Sequence, residues 1–337
     1  MSIDWSETLT QIAAGEALSI DQAADAMRAI MRQEASQVQV AALLLALRTK
    51  GETVDEMEGF ALAALEFASP VKTPGPVVDT CGTGGDRSDT FNISTVSAIV
   101  AAGAGAVVAK HGNRAATSRC GSADLLEGLG VKIDLDASGV ERCLDAAGIG
   151  FMFAPVFHPA MAYVAPVRKE LGVRTAFNFL GPLTNPARPA AQLVGVSDAR
   201  MLPVVANVFA RRGARATVFQ GLDGLDELST VMPSVVYEVG EHHVRKHTLD
   251  PEDLDLTHAR IGDLRGGDVA RNAEIARSVL AGDKGAHRDV VLLNAAAALE
   301  VADKAGSKVE GIAMAAESID SGAAERTLQR WIEASNA

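Results

Sequence analysis

The stretch VVDTCGTGGD, residues 77–86, decides the fold class because it joins a strand pattern to a glycine-rich turn. Its apolar start predicts a strand, and a helical pattern opens near Ser94. Gly82, Gly84 and Gly85 would let backbone N–H groups approach a phosphate without an intervening Cβ. The spacing matches neither a P-loop nor a dinucleotide fingerprint. The stretch therefore predicts either a phosphate-binding turn or only a sharp strand-to-helix turn.

Downstream of this turn, short apolar runs such as Val107-Val108 and residues 217–219 alternate with helical stretches. Alternation of this kind predicts a mainly parallel sheet with helices on its faces. Residues 91–109 carry no charge, but hydroxyl side chains and glycines interrupt them. A buried helix followed by a strand is therefore favoured over a membrane span.

Upstream, residues 4–68 have only helical patterns, whereas residues 164–187 are rich in proline and do not resemble sheet. Each of three helix starts has Ser or Thr followed three positions later by Gln or Glu, which is the capping-box pattern. These pairs are Ser19 with Gln22, Ser36 with Gln39, and Thr53 with Glu56. We predict a small helical domain at 1–68, with an excursion near 166–187, and an α/β domain at 69–165 and 188–337.

The amino-acid composition and charge argue against several classes of function. The chain has 337 residues, 48% of them hydrophobic and 4% aromatic, and a formal charge of −12. Such acidity argues against nucleic-acid binding, which needs a broad basic surface. Cys81, Cys120 and Cys143 are odd in number and lack CxxC spacing, which favours neither disulfides nor zinc. With no basic secretion signal and no membrane span expected, the sequence predicts a cytoplasmic protein.

Two segments offer anion-binding groups. Residues 110–122 concentrate Lys110, His111, Arg114 and Arg119 among small and hydroxyl residues, in an otherwise acidic chain. This pattern favours a phosphate-binding loop over a solvated loop. In the NIST segment, residues 92–95, a Ser or Thr could cap a helix that starts near Val96, or could contact a ligand. The two interpretations are compatible, because a helix N-terminus also attracts anions.

Two further segments carry charges suited to a metal and to an organic acid. Asp223, Asp226 and Glu227 lie within five positions. Adjacent carboxylates in a cleft need a cation to ionise together, and Mg²⁺ prefers such oxygen ligands, although an acidic surface turn is the alternative. His158 and Arg168 could grip a carboxylate-bearing substrate, although a lone His is often structural and Arg168 could simply pair with Glu170 or another acid.

Five motifs occur in one order: GTGGD, NIST, KHGNRAATSRCGSAD, HPAM…VAPVRKELGVRTAFNFLGPLTNP and LDGLDE. In this respect the chain resembles the anthranilate phosphoribosyltransferase family over most of its length. The resemblance implies a small helical domain that also mediates dimerisation, a larger α/β domain of the nucleoside phosphorylase type, and an active site between them. The implied reaction transfers the phosphoribosyl group of phosphoribosyl pyrophosphate (PRPP) to the amine of anthranilate, with release of pyrophosphate. This is the second step of tryptophan biosynthesis from chorismate.

The same resemblance assigns residues to ligands. For PRPP these are Gly82, Gly85, Asp86, Thr90, Asn92, Ser94, Thr95, Lys110, His111, Gly112, Asn113 and Ser122. For anthranilate they are Gly82, Asn113, His158, Arg168 and Gly181. Two Mg²⁺ ions per subunit are implied, one on Ser94 and Glu227 and one on Asp226 and Glu227. Cys120 and Gln220 stand where the family pattern has Ser and His.

Two other functions stay open on sequence grounds. A pyrimidine-nucleoside phosphorylase shares the expected fold, but it would not need the paired carboxylates Asp226 and Glu227. A non-catalytic, nucleic-acid-binding paralogue would need a basic groove, which the charge of −12 argues against. The sequence offers no convincing Ser/His/Asp or Cys/His triad, so catalysis is expected to rest on positioning and electrostatics.

Overall fold

A computed structural model describes residues 3–115, 119–240 and 243–337. The chain begins with four helices, α1 (Trp5–Ala13), α2 (Ile20–Met31), α3 (Gln37–Lys50) and α4 (Val54–Glu66). All three predicted capping boxes form, at the starts of α2, α3 and α4. Helix α1 carries a different cap, because the Asp4 carboxylate accepts a hydrogen bond from the Glu7 N–H.

After the four helices, the chain forms a seven-stranded sheet with the strand order β3-β2-β1-β4-β5-β6-β7. Its strands are β1 (Val78–Gly82), β2 (Val108–Gly112), β3 (Ile149–Phe153), β4 (Ala191–Gly195), β5 (Arg215–Gly221), β6 (Ser234–Gly240) and β7 (His243–Leu249). The first five are mutually parallel, and β6 and β7 add antiparallel at one edge. The strand order reverses direction between β1 and β4. Ligand crevices of open α/β sheets lie at such a switch point, outside the carboxyl ends of the strands.

Helices and short 3-10 turns complete the chain. The helices are α5 (Ile93–Gly103), α6 (Ser122–Leu129), α7 (Ala137–Ala147), α8 (Ala154–Phe157), α9 (Ala165–Leu171), α10 (Leu202–Arg211), α11 (Val269–Leu280), α12 (Ala286–Val301), α13 (Lys308–Asp320) and α14 (Ala323–Asn336). The 3-10 turns are Pro159–Tyr163, Ala176–Asn178, Gly181–Thr184, Pro251–Leu254 and Ile261–Leu264. The predicted fold, a helical domain with a larger α/β domain around a mainly parallel sheet, is confirmed.

The proline-rich segment contacts the N-terminal helices. Helix α9 packs against α3, and the turn at Gly181–Thr184 packs against α4. Val167 and Phe177 share one hydrophobic core with Leu44 and Phe60 of the helical domain. The excursion near 166–187 and the division into domains at residues 68, 165 and 188 stay predictions.

The structure corrects two local expectations. Helix α5 begins at Ile93 and not near Val96, so Ser94 and Thr95 lie in its first turn and do not cap it. Asn92 is the N-cap residue, yet its side chain makes no capping hydrogen bond.

Among the residues that the structure describes, no helix is long and apolar enough to cross a membrane.

Candidate active site

Two strand ends create room for one carboxylate. β1 ends at Gly82 and β4 ends at Gly195, and Asp226 from the loop after β5 lies against both. A Cβ at either glycine would overlap Asp226. The Gly84 N–H donates a 2.6 Å hydrogen bond to Asp226 Oδ2. The glycines therefore let the acidic loop approach the glycine-rich turn at the switch point of the sheet.

The Asp226–Glu227 pair lies at the base of this cleft, with Asp226 buried and Glu227 partly buried. Burial and the nearby Asp86 raise the pKa of Asp226, and burial and Asp226 raise the pKa of Glu227. The positive charge of Arg174 lowers the pKa of Asp226, and that of Lys110 lowers the pKa of Glu227. Both pKa values are nevertheless raised overall. Two adjacent carboxylates in this state are suited to a divalent cation, which would let both ionise.

Hydrogen bonds between side chains and backbone groups fix the orientation of this pair. Glu227 Oε1 accepts a 3.1 Å hydrogen bond from the Ser94 N–H, in the first turn of α5. The side chain of Asn294 holds the next residue, Leu228, at both its N–H and its carbonyl, with distances of 3.0 and 2.9 Å. Sequence reasoning assigned Asn294 no role, and its position after Leu293 in an alanine-rich helix gave no chemical signal.

Asp223 belongs to the loop scaffold. Its carboxylate accepts hydrogen bonds from the Leu225 N–H at 3.1 Å and from Ser229 Oγ at 2.5 Å. Its carboxylate is therefore occupied by the turn that presents Asp226 and Glu227.

Lys110 lies under the cleft and not on its rim. The side chain is 1% exposed, and its Nζ donates to the Thr80 carbonyl and, at 3.4 Å, to Ser94 Oγ. Asp79 is buried nearby, where it accepts hydrogen bonds from the His111 N–H at 3.1 Å and from Asn185 Nδ2 at 2.8 Å. Burial raises the pKa of Asp79, and the charge of Lys110 counteracts this shift. The ammonium thus places a fixed positive charge beside Ser94.

Hydrogen bonds tie the start of α5 to the start of α6. Asn92 Nδ2 donates to the Cys120 carbonyl at 3.0 Å, and Thr95 Oγ1 donates to Ser122 Oγ at 3.0 Å. Asn272, another residue that sequence reasoning gave no role, donates to Asn92 Oδ1 at 2.8 Å. Three of the residues predicted for PRPP therefore converge at two neighbouring helix N-termini.

The loop after β2 contributes less charge than predicted. Arg114 forms ion pairs with Asp124 and Glu127 on α6, so this cation belongs to a solvated surface network. The Asn113 side chain accepts a 2.8 Å hydrogen bond from the Arg114 N–H and is exposed. Residues 116–118 of the predicted loop lie outside the described residues.

Asp86 and Thr90 line the outer part of the glycine-rich turn. Ser88 Oγ donates to Asp86 Oδ2 at 2.7 Å and lies 3.3 Å from Thr90 Oγ1. Gly112 packs closely against Phe151 at the end of β2.

Two neutral histidines lie next to the excursion segment. His111 Nδ1 is 3.1 Å from the Gly181 carbonyl, and the His111 and His158 rings have centroids 5.1 Å apart. Burial lowers the pKa of His111 to about 3 and also lowers the pKa of His158. Within the described part of the chain, both buried Nε2 atoms lack a hydrogen-bond partner. The structure thus places His111, which was predicted for PRPP, beside two residues predicted for anthranilate.

Arg168 is a half-buried cation. Its guanidinium lies 5.9 Å from the centroid of the Phe177 ring, and burial lowers its pKa. The alternative of an ion pair with Glu170 is not observed, and the described residues offer Arg168 no other carboxylate within ion-pair distance. A guanidinium in this state is suited to an anionic ligand.

Arg174 is a site residue to which sequence reasoning assigned no role. Its Nη1 donates to the Gly85 carbonyl at 3.1 Å and its Nη2 to the Gly84 carbonyl at 2.9 Å. The excursion segment is thereby joined to the glycine-rich turn.

This arrangement, with an acidic pair and two helix N-termini at the switch point of the sheet, suits an α/β enzyme that transfers a phosphorylated sugar. The family described as "Glycosyl transferase family, a/b domain" matches residues 74–325, and its helical bundle domain matches residues 6–68. Anthranilate phosphoribosyltransferase of Nocardioides sp. is 54% identical over 335 residues, which cover 98% of each chain.

Solved structures agree. The crystal structure of anthranilate phosphoribosyltransferase from Thermus thermophilus has a TM-score of 0.93 at 44% identity, with 98% of this chain and 99% of that one covered. The Saccharomyces cerevisiae enzyme in complex with PRPP and Mg has a TM-score of 0.89 at 30% identity, with 98% of each chain covered. The chain belongs to the anthranilate phosphoribosyltransferase family. The predicted family and enzyme activity are confirmed, and the phosphorylase and nucleic-acid alternatives receive no support.

Proposed function

We propose that the cleft at the carboxyl ends of β1, β4 and β5 binds PRPP with its pyrophosphate against the glycine-rich turn and the start of α5. The contributing residues are Gly82, Gly85, Asp86, Thr90, Asn92, Ser94, Thr95, Lys110, Gly112, Asn113 and Ser122. The first turn of α5 supports this assignment through its helix dipole and the Ser94 hydroxyl, because the Ser94 N–H already donates to Glu227. Buried Lys110 adds a positive charge beside Ser94.

Two Mg²⁺ ions per subunit are part of the proposal, with Ser94, Asp226 and Glu227 as their protein ligands. The donor set fits, because it supplies a hydroxyl and two carboxylates, one buried and one partly buried, whose pKa values are raised mainly by burial. When bound, Mg²⁺ neutralises charge on the pyrophosphate leaving group. The Ser94 N–H and Asn294 hold Glu227 and its neighbour in place for this role.

Anthranilate is proposed to lie on the side of the excursion segment, near Gly82, Asn113, His158, Arg168 and Gly181. Arg168 would bind the carboxylate, and the neutral rings of His158 and His111 would form a wall of the pocket. An aromatic amine is already neutral at pH 7, so its attack on the ribose needs no strong base. The chain would act by holding the amine against the anomeric carbon and by stabilising the oxocarbenium-like transition state electrostatically.

The protein is proposed to be a cytoplasmic homodimer that associates through its N-terminal helices. Val38 and Leu45 are seven positions apart on α3, so they lie on one face, and they are 78% and 49% exposed. Leu62 on α4 is also an exposed large apolar residue. Exposed apolar side chains clustered on one helical unit are typical of an interaction surface.

The observation that carries the proposal is the Asp226–Glu227 pair, which the loop after β5 holds against the glycine-rich turn. Calorimetric titration of PRPP in the presence of Mg²⁺ and in EDTA tests it directly. We expect PRPP to bind tightly only with Mg²⁺. Equal affinity in both buffers would contradict the metal assignment. A parallel assay for phosphorolysis of uridine without metal should give no product, and turnover there would favour the phosphorylase alternative.

A further inference from the structure

We infer that Arg174 is a positioning residue that presets the glycine-rich turn to bind pyrophosphate through backbone N–H groups. This inference rests on the proposed binding of PRPP at the turn. One guanidinium donates to two consecutive carbonyls, those of Gly84 and Gly85, at 2.9 and 3.1 Å. Both carbonyls are therefore turned toward the same side of the loop, where Arg174 lies.

The geometry of the peptide bond converts this contact into an anion site. In a planar trans peptide, the carbonyl of one residue and the N–H of the next point in opposite directions. Holding the Gly84 and Gly85 carbonyls toward Arg174 directs the N–H groups of Gly85 and Asp86 away from it. Neither N–H has a hydrogen-bond partner among the described residues. Consecutive N–H groups that converge in this way form a concave site for anionic oxygens.

A second contact holds the same turn from the β4 side. Ser197 Oγ donates to the Gly84 carbonyl at 2.7 Å, and the Ser197 N–H donates to Thr83 Oγ1 at 3.1 Å. Gly84 and Gly85 have φ values of 68° and 78°, a left-handed conformation that only glycine adopts without strain. Such a backbone has many alternatives in the absence of a ligand. Arg174 and Ser197 restrict it to the conformation with both N–H groups on one side.

The chemistry of the contact requires arginine at this position. A guanidinium is a planar fork that can bond two carbonyls at once, whereas a lysine ammonium is a point charge. The Arg174 guanidinium also lies 5.3 Å from the centroid of the Phe179 ring, which fixes its plane. A Cβ on Gly85 would come within 3.0 Å of Arg174 Nη1, so the close approach of the loop depends on glycine as well. Arg174 thus acts through the backbone of the turn and not by touching the substrate.

The test compares Arg174→Lys with a matched control, Arg212→Lys. Arg212 is also partly buried and also donates to a backbone carbonyl, that of Leu183, but it pairs with Glu58 away from the turn. The affinities for PRPP and for pyrophosphate, both with Mg²⁺, are measured by calorimetry, together with the anthranilate KM and the melting temperature. We expect Arg174→Lys to weaken both affinities by about ten- to a hundredfold, with little change in the anthranilate KM. Arg212→Lys should leave both affinities unchanged.

Ser197→Ala provides a second variant if Arg174→Lys does not fold. It removes the other donor to the Gly84 carbonyl and should weaken pyrophosphate binding in the same direction, by about tenfold or less. If the wild-type protein binds PRPP and both Arg174→Lys and Ser197→Ala bind pyrophosphate equally well, the positioning role is refuted while the proposed function stands. Equal losses in Arg174→Lys and Arg212→Lys would also refute it, because they would indicate a general structural effect. Failure of the wild-type protein to bind PRPP would instead refute the proposed function.

Discussion

Replacement of Arg168 by Ala is predicted to impair the use of anthranilate and to spare PRPP binding. The Arg168 guanidinium is half-buried with a pKa lowered by burial, so part of its desolvation has already occurred before a ligand arrives. A charge-assisted pair between such a group and the anthranilate carboxylate contributes about 1.5–3 kcal/mol, or roughly ten- to a hundredfold in affinity. Loss of the stacking contact with Phe177 is a smaller effect, because the two groups lie 5.9 Å apart.

Steady-state kinetics give the anthranilate KM, and calorimetry gives the PRPP affinity. The anthranilate KM of Arg168→Ala should rise by about ten- to a hundredfold while PRPP affinity stays nearly unchanged. Arg168→Lys should lie between this variant and the wild type, because it keeps the charge and loses the bidentate geometry. Lys169→Ala is the control, since Lys169 is exposed on the same helix. A collapse of PRPP affinity with an unchanged anthranilate KM would show that Arg168 belongs to the phosphate site and not to the anthranilate site.

Four further predictions follow from the acidic pair and the helical surface. Glu227→Gln should reduce kcat far more than Asp223→Asn, because Asp223 is occupied by the loop scaffold; equal losses would count against the metal assignment. Because the pKa values of Asp226 and Glu227 are raised, protons should compete with Mg²⁺, so that Mg²⁺ affinity falls below these pKa values by roughly up to tenfold per pH unit for each carboxylate that must release a proton. Without metal, the raised pKa values make the folded protein less stable as the pH rises through them, because the folded state must then hold two close negative charges. Mg²⁺ should therefore raise the melting temperature more at pH 8.5 than at pH 6. An equal rise in melting temperature at both pH values would contradict this. Finally, Leu45→Asp together with Val38→Asp should yield a monomer by light scattering, and an unchanged dimer would place the interface elsewhere.

Local sequence patterns predicted those parts of the fold that depend on neighbouring residues. The capping boxes at Ser19, Ser36 and Thr53 formed because each involves residues only three positions apart. The start of α5 was predicted too late because Ser94 and Thr95 are good capping residues. Their backbone is helical instead, with the Ser94 N–H bound to Glu227, a residue 133 positions away.

Contacts between residues far apart in the chain could not be predicted from the sequence. Arg174 reaches carbonyls 89 and 90 positions earlier in the chain, and a carbonyl has no sequence signature. The edge strand β7 (His243–Leu249) lacks an apolar run, because its polar residues include Arg245 and Lys246, which suit an exposed sheet edge. The placement of His111 beside His158 depends in the same way on how β2 meets the excursion segment.

The proposed reaction is tested most directly by mixing the purified protein with PRPP, Mg²⁺ and anthranilate and following anthranilate fluorescence. We predict a steady loss of fluorescence that requires all three components and releases one pyrophosphate for each anthranilate consumed. Excess EDTA should abolish the loss of fluorescence, and Glu227→Gln should greatly slow it. Full turnover in EDTA would contradict the metal requirement, and no turnover by folded wild-type protein with all components present would contradict the assigned reaction.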